Sequence, residues 1–173
     1  MSPVRQLSLL IFISACLVCA LAPGAAATEW VVPIDAPTVA AGIDSAQAGD
    51  TVTLRSGTYY EHDLVMKDHV TLRGQTGDPL DVIIDAYQLG RVIDASYLSG
   101  TTVIENITFA GGFVDGDGAG MYCAGSYVNV ENCRFISNYC VQEGGSGGGV
   151  YVFEGQPSFT DCFFAWNNTA VPG

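Results

Sequence analysis

The chain has 173 residues and carries 18 acidic against six basic side chains, a formal net charge of −12 at pH 7. A chain this acidic excludes nucleic acid and anionic membrane surfaces as natural partners. It also disfavours polyanionic substrates unless metal ions bridge the charges, while its acids favour solubility.

The first element is an export leader. Arg5 supplies the positive start, Leu7 to Ala22 is almost wholly apolar, and Ala25-Ala26-Ala27 is a small-residue cleavage site, so residues 1–27 read as a signal peptide cut after Ala27. The apolar run is short for a membrane span, and no other stretch is long enough to be one. The expected location is therefore secreted, extracellular or on the cell surface, by bacterial export. The remaining residues 28–173 keep five basic side chains, Arg55, Lys67, Arg73, Arg91 and Arg134. They also keep four cysteines, Cys123, Cys133, Cys140 and Cys162, which could form two disulfides in any of three pairings. No C-x-x-C remains to suggest zinc.

Residues 28–50 form a capping segment. Within it Thr38 to Ala48 predicts a helix, since Val39, Ile43 and Ala46 share one face and Gly49 follows as a stop. Short strands follow from residue 51 onward. They are Asp50 to Arg55, Thr58 to Tyr60, Val70 to Gly74 (a repeat of the first strand 18 residues on), Val82 to Asp85, Arg91 to Asp94 and Thr101 to Phe109.

One pattern then recurs three times. Ile104-Glu105-Asn106-Ile107-Thr108-Phe109, Val130-Glu131-Asn132-Cys133-Arg134-Phe135 and Phe159-Thr160-Asp161-Cys162-Phe163-Phe164 start 26 and then 29 residues apart. Ile104, Val130 and Phe159 point inward, and Glu105, Glu131 and Thr160 outward. At Asn106, Asn132 and Asp161 the two-residue alternation slips by one, which marks a bend, and Asn or Asp tolerates the left-handed backbone of a tight bend. A second corner has Asn138 and Asn167 in matching places. Gly120 to Cys123 and Gly149 to Val152 supply a third strand per repeat. Three short strands per repeat with recurring corners predict an all-β, right-handed parallel β-helix capped by the N-terminal helix. About five turns are expected, at a rise of about 4.8 Å each, with the last turn incomplete. A single turn cannot bury its own inner face, so the turns must stack.

Two segments carry a family resemblance. Ala41 to Tyr60, AGIDSAQAGDTVTLRSGTYY, resembles the capping helix and first strands of bacterial β-helix proteins of the pectate-lyase-like superfamily. Phe135-Ile-Ser-Asn138 and Phe164-Ala-Trp-Asn167, with Gly147-Gly-Gly-Val-Tyr151, are similar to the FxxN and GGA[ILV] repeats of chlamydial polymorphic outer-membrane proteins. The first copy departs from that pattern, ending Phe109-Ala-Gly-Gly112 without the closing Asn. The resemblance implies the fold and, more loosely, contact with a polysaccharide or a cell-surface component. That fold hosts lyases, hydrolases and adhesins alike.

The reading favoured here is a non-catalytic scaffold that needs no cofactor. The first rival is the N-terminal part of a calcium-assisted polysaccharide lyase; the second is an adhesin or autotransporter-like passenger. A lyase needs a base beside a uronate, and Lys67 or His69, next to Asp68, is the nearest candidate. The polygalacturonase motifs of the superfamily are missing, and of the pectate-lyase pattern only an Asp-His step, Asp68-His69, is present, without the arginine region that should accompany it. Glu105 and Glu131 should project side by side from stacked strands, as a Ca²⁺ site or a glycosidase pair, or else splay apart with Arg134 offsetting their charge. Asp115 and Asp117 resemble half of a calcium loop. Tyr122, Tyr127, Tyr151 and Phe163 are candidates for a sugar-binding face.

Overall fold

A computed structural model describes residues 26–141 and 145–170; residues 1–25 of the expected leader, with Cys16 and Cys19, lie outside the described residues. The chain winds into an all-β parallel solenoid of about five turns with one short helix near its start. Every strand pairing is parallel, as expected of a coil whose turns follow one another in the same sense.

The first wall stacks Glu29–Val32, Thr51–Leu54, Thr71–Gly74, Val103–Glu105, Asn129–Glu131 and Ser158–Thr160. The second stacks Gly57–Tyr59, Val82–Asp85, Thr108–Ala110, Arg134–Ile136 and Phe163–Ala165. A third wall of two-residue strands, Phe113–Val114, Tyr139–Cys140 and Asn168–Thr169, belongs to the later turns only. The fourth holds Leu64–Val65, Ile93–Asp94, Met121–Ala124 and Val150–Phe153. The later turns thus have four strands where the sequence suggests three. The strand Glu29–Val32, which extends the first wall by one row, is also beyond the sequence reading.

The repeat stacks in the expected register. Ile104 pairs with Val130 and Val130 with Phe159, while Phe109 lies against Phe135 and Phe135 against Phe164. The inner phenylalanines form a face-to-face column, with ring centroids 5.3 Å apart for Phe109–Phe135 and 5.1 Å for Phe135–Phe164. The register of Thr51–Leu54 differs from expectation: Thr51 pairs with Thr71, an offset of 20 rather than 18 residues. Both offsets are even, so the side chains keep the same faces either way, and the length of the intervening turn decides between them.

Asn106, Asn132 and Asp161 occupy left-handed backbone at φ 61°, 46° and 53°. The Asn132 amide donates to Asn106 Oδ1 at 2.9 Å, linking corner to corner. At the second corner the left-handed residues are Gly111, Ser137 and Trp166, and the asparagines one position later turn inward. Asn138 Nδ2 donates to Asn167 Oδ1 at 3.0 Å.

The helix is shorter than expected, Val39–Ser45. Thr38 caps its start, and the Glu61 carboxylate accepts from Val39 N and Ala40 N at 2.7 and 2.9 Å. Ala46 already has extended backbone, and the Lys67 ammonium donates to the Asp44 and Ala46 carbonyls at 2.7 and 2.9 Å. A cation on the last carbonyls satisfies the groups that a longer helix would have paired. The buried Val39, Gly42 and Ile43 seat this helix over the first turn. Among the described residues no helix is long and apolar enough to cross a membrane.

Candidate functional site

Glu105 and Glu131 face each other directly on the outer side of the first wall. Arg73 is next in that row, but its guanidinium turns away, to Glu29 Oε1 at 2.7 Å and Thr53 Oγ1 at 3.1 Å. Arg134 stands on the second wall, its guanidinium 4.5 Å from the centre of the Phe163 ring, and no ion pair ties it to either glutamate among the described residues. Asp117 ties neighbouring turns together: Oδ1 accepts from Ser146 N of the following turn at 2.6 Å, and Arg91 of the preceding turn donates to the Asp117 and Gly118 carbonyls, both at 2.9 Å. Asp115 is exposed in the same turn. Among the described residues no three His, Cys, Asp or Glu side chains gather where they could hold a metal ion.

Cys123, Cys133, Cys140 and Cys162 are all free thiols. Cys133 and Cys162 take equivalent places on successive turns, with Sγ donating to Glu131 O and Thr160 O at 3.3 and 3.4 Å. Burial pushes the Cys123 and Cys133 thiols up to about 12, and raises Cys140 and Cys162 as well. At neutral pH such thiols are protonated fillers of the core, not nucleophiles.

The aromatic residues singled out above do not form one face. Tyr122 and Tyr151 stack on the outer fourth wall at 5.4 Å, Phe163 lies under Arg134 on the second wall, and Tyr127 sits just before the first. The lyase candidates are also engaged elsewhere. Lys67 caps the helix. The Asp68 carboxylate accepts from Ser99 N at 2.7 Å, Thr102 Oγ1 at 3.0 Å and His69 N at 3.0 Å, so it pins the turn that opens the next strand. His69 Nδ1 lies 2.6 Å from Thr101 Oγ1, and its Nε2 is 3.3 Å from Asp68 Oδ2.

The hydrogen bonds from Ser99, Thr102 and His69, acting against the desolvation of its burial, hold the Asp68 carboxyl down at about 2. A depressed folded-state value means stability that is present above the ordinary value of 3.8 and lost as pH falls through about 2. Asp68→Asn should cost about 1 kcal/mol at neutral pH, toward the low end of hydrogen bonds to charged groups because the site is half exposed. It should also flatten the loss of stability between pH 4 and 2, as circular-dichroism melts across that range would show.

The groove that sequence reasoning missed lies where the second wall turns out of the Val82–Asp85 strand. Tyr87 and Gln88 are consecutive left-handed residues, φ 51° and 61°. Asp85 Oδ1 accepts from Tyr87 N at 2.8 Å, and Gln88 N donates to Gly111 O at 2.8 Å, so the next turn holds the bend in place. A Cβ on Gly111 would run into Asp85 Oδ1, so glycine there makes room for the carboxylate that holds the bend. Beside it lies an open cleft of about 610 Å³ walled by Asp85, Tyr87, Gln88, Gly111 and Ser137. A second cleft of about 340 Å³ lies on the other side of Tyr87, walled by Tyr60, His62, Ala86 and Leu89. Tyr60 meets Tyr87 edge to face at 6.0 Å, and both rings are 70% exposed. Trp166, 79% exposed, occupies the same corner one turn beyond Ser137.

No protein family, curated protein or solved structure matches the chain.

Proposed function

We propose that the chain is an exported, non-catalytic β-solenoid scaffold whose Tyr60–Tyr87–Trp166 corner holds a glycan. The observation that carries this reading is the pair of clefts sharing Tyr87, a large exposed ring held in strained left-handed backbone. Exposed aromatic faces offer the C–H face of a sugar ring an apolar platform, and Asp85, Gln88 and Ser137 beside it offer hydroxyl partners. The resemblance to pectate-lyase-like β-helices and to chlamydial surface-protein repeats agrees with a place outside the cell. The leader of residues 1–27 agrees with it too.

The groove is built to bind, not to cleave. Glycosidases place two carboxyl groups about 5–9.5 Å apart across the scissile bond, and Asp85 is the one carboxylate that lines either cleft among the described residues. A lyase needs a free base: Lys67 is committed to the helix end, His69 Nδ1 lies on Thr101 Oγ1, and His62, in the second cleft, has its Nδ1 on the Asp63 carboxylate.

Titration calorimetry with a panel of oligosaccharides tests the reading. Tyr87→Ala should weaken the best ligand about tenfold, the equivalent of roughly 1.4 kcal/mol, and Tyr87→Phe should keep the affinity. Unchanged binding in Tyr87→Ala would move the site elsewhere. Calcium-dependent release of unsaturated uronates from alginate, pectin or chondroitin would replace the scaffold with the lyase.

A further inference from the structure

Every well-placed cation of the described chain is held away from the groove. Arg73 is tied to Glu29 and Thr53, Arg91 to the Asp117 and Gly118 carbonyls, Lys67 to the helix end, and Arg134 lies over Phe163. Arg55 borders neither cleft, so among the described residues no lysine or arginine lines them. The groove instead holds Asp85, and its one basic group, His62, lies 2.9 Å from Asp63 Oδ2.

From this distribution we infer that the groove selects an uncharged, hydroxyl-rich glycan and discriminates against uronate and sulfated chains. The inference rests on the glycan-binding reading above and narrows its ligand. The polar groups suit hydroxyls, which both donate and accept. The Gln88 amide and the Ser137 hydroxyl do the same, and Asp85, with Oδ1 occupied by Tyr87 N, keeps its second oxygen as an acceptor. A uronate carboxylate set into the same cleft would lie beside Asp85 with no cation to receive it. Like charges a few ångströms apart at a wetted surface weaken binding by roughly tenfold. The net charge of −12 adds a longer-range repulsion of the same sign. The selectivity is opposite to that of a uronate-cleaving enzyme, which must present cations to its substrate.

The test is calorimetric titration of the exported chain with four hexasaccharides: a neutral glucan, a neutral N-acetylated chitin fragment, the deacetylated cationic form, and galacturonate. At low salt a neutral hexamer should bind at least tenfold more tightly than galacturonate. The gap should shrink at high salt, because exposed charges are screened over about 10 Å at 0.1 M. Asp85→Asn should narrow the ratio between neutral and galacturonate ligands. Galacturonate binding as tight as the neutral chains would overturn the inference and leave the glycan reading standing. Preference for the cationic hexamer with steep salt dependence would also overturn it, since that describes a cation site. Failure of all four to bind would remove the glycan reading itself.

Discussion

Phe135→Ala should be among the most destabilising single substitutions in the coil, costing about 3–5 kcal/mol as a truncated core aromatic. The Phe135 ring is fully buried between Phe109 and Phe164, 5.3 and 5.1 Å away, and meets Phe159 edge-on at 6.3 Å. In a stacked coil each turn touches only its neighbours, so a cavity between two turns cannot be closed from the side. The damage should also be directional. Phe159 and Phe164, on the turn beyond, take their inner packing from Phe135 and are already partly open to solvent. Hydrogen exchange should therefore show residues 158–165 losing protection before the strands nearer the helix. Phe135→Leu, which keeps most of the volume, should cost less than about 2 kcal/mol. Equal loss of protection along the whole coil would show that the turns unfold as a single unit.

How much of this was legible in the sequence follows from how a stacked repeat encodes its contacts. Residues that touch across turns recur at one spacing, so Ile104, Val130 and Phe159 could be placed on one another before any coordinates, and they pair so. The same regularity misled at the start, where Val70-Thr71-Leu72-Arg73 copies Val52-Thr53-Leu54-Arg55 at 18 residues. The strands pair at 20, because local similarity cannot weigh an intervening turn against an even-numbered slip. The helix ended early for a reason that lies 21 residues from its last carbonyl, in Lys67. Asp68 likewise reads as half of an Asp-His step until Ser99 and Thr102 are brought under its carboxylate.

The groove was hidden for a different reason. The corner rule drawn from the repeat attaches left-handed backbone to Asn and Asp, and Tyr87 and Gln88 belong to neither class. Their conformation is imposed by Asp85 and by the Gly111 carbonyl of the following turn, a contact that exists only once the coil has formed. The one available signal was the first repeat's ending, Phe109-Ala-Gly-Gly112, in place of the closing Asn. Read physically, a repeat that gives up its side chain at Gly111 leaves room there for the Asp85 carboxylate, which a Cβ would strike, and so for the bond from Tyr87 N that holds the bend.

Asn138→Ala should rank with Phe135→Ala, for a reason of polarity rather than volume. Asn138 is completely buried; its Oδ1 accepts from Gly112 N at 2.8 Å, and its Nδ2 donates to Phe109 O at 3.2 Å and Asn167 Oδ1 at 3.0 Å. Alanine would leave the Gly112 N–H without its acceptor and the Phe109 carbonyl without this donor, each buried loss costing about 1–3 kcal/mol. A total near 3 kcal/mol is expected in urea unfolding, and Asn167→Ala should cost somewhat less: it strips buried partners too, Asn138 N, Asn138 Nδ2 and the Phe135 carbonyl, but Asn167 is itself only half-buried, so water can enter in its place. Asn138→Asp separates the two halves of the amide. It keeps an acceptor for Gly112 but puts a carboxylate against the Phe109 carbonyl and Asn167 Oδ1, so it should destabilise more than alanine at neutral pH and recover toward acid as the carboxyl protonates. Stability that rises as pH is lowered in this variant alone would show that the inner corner requires a side chain that donates and accepts at once.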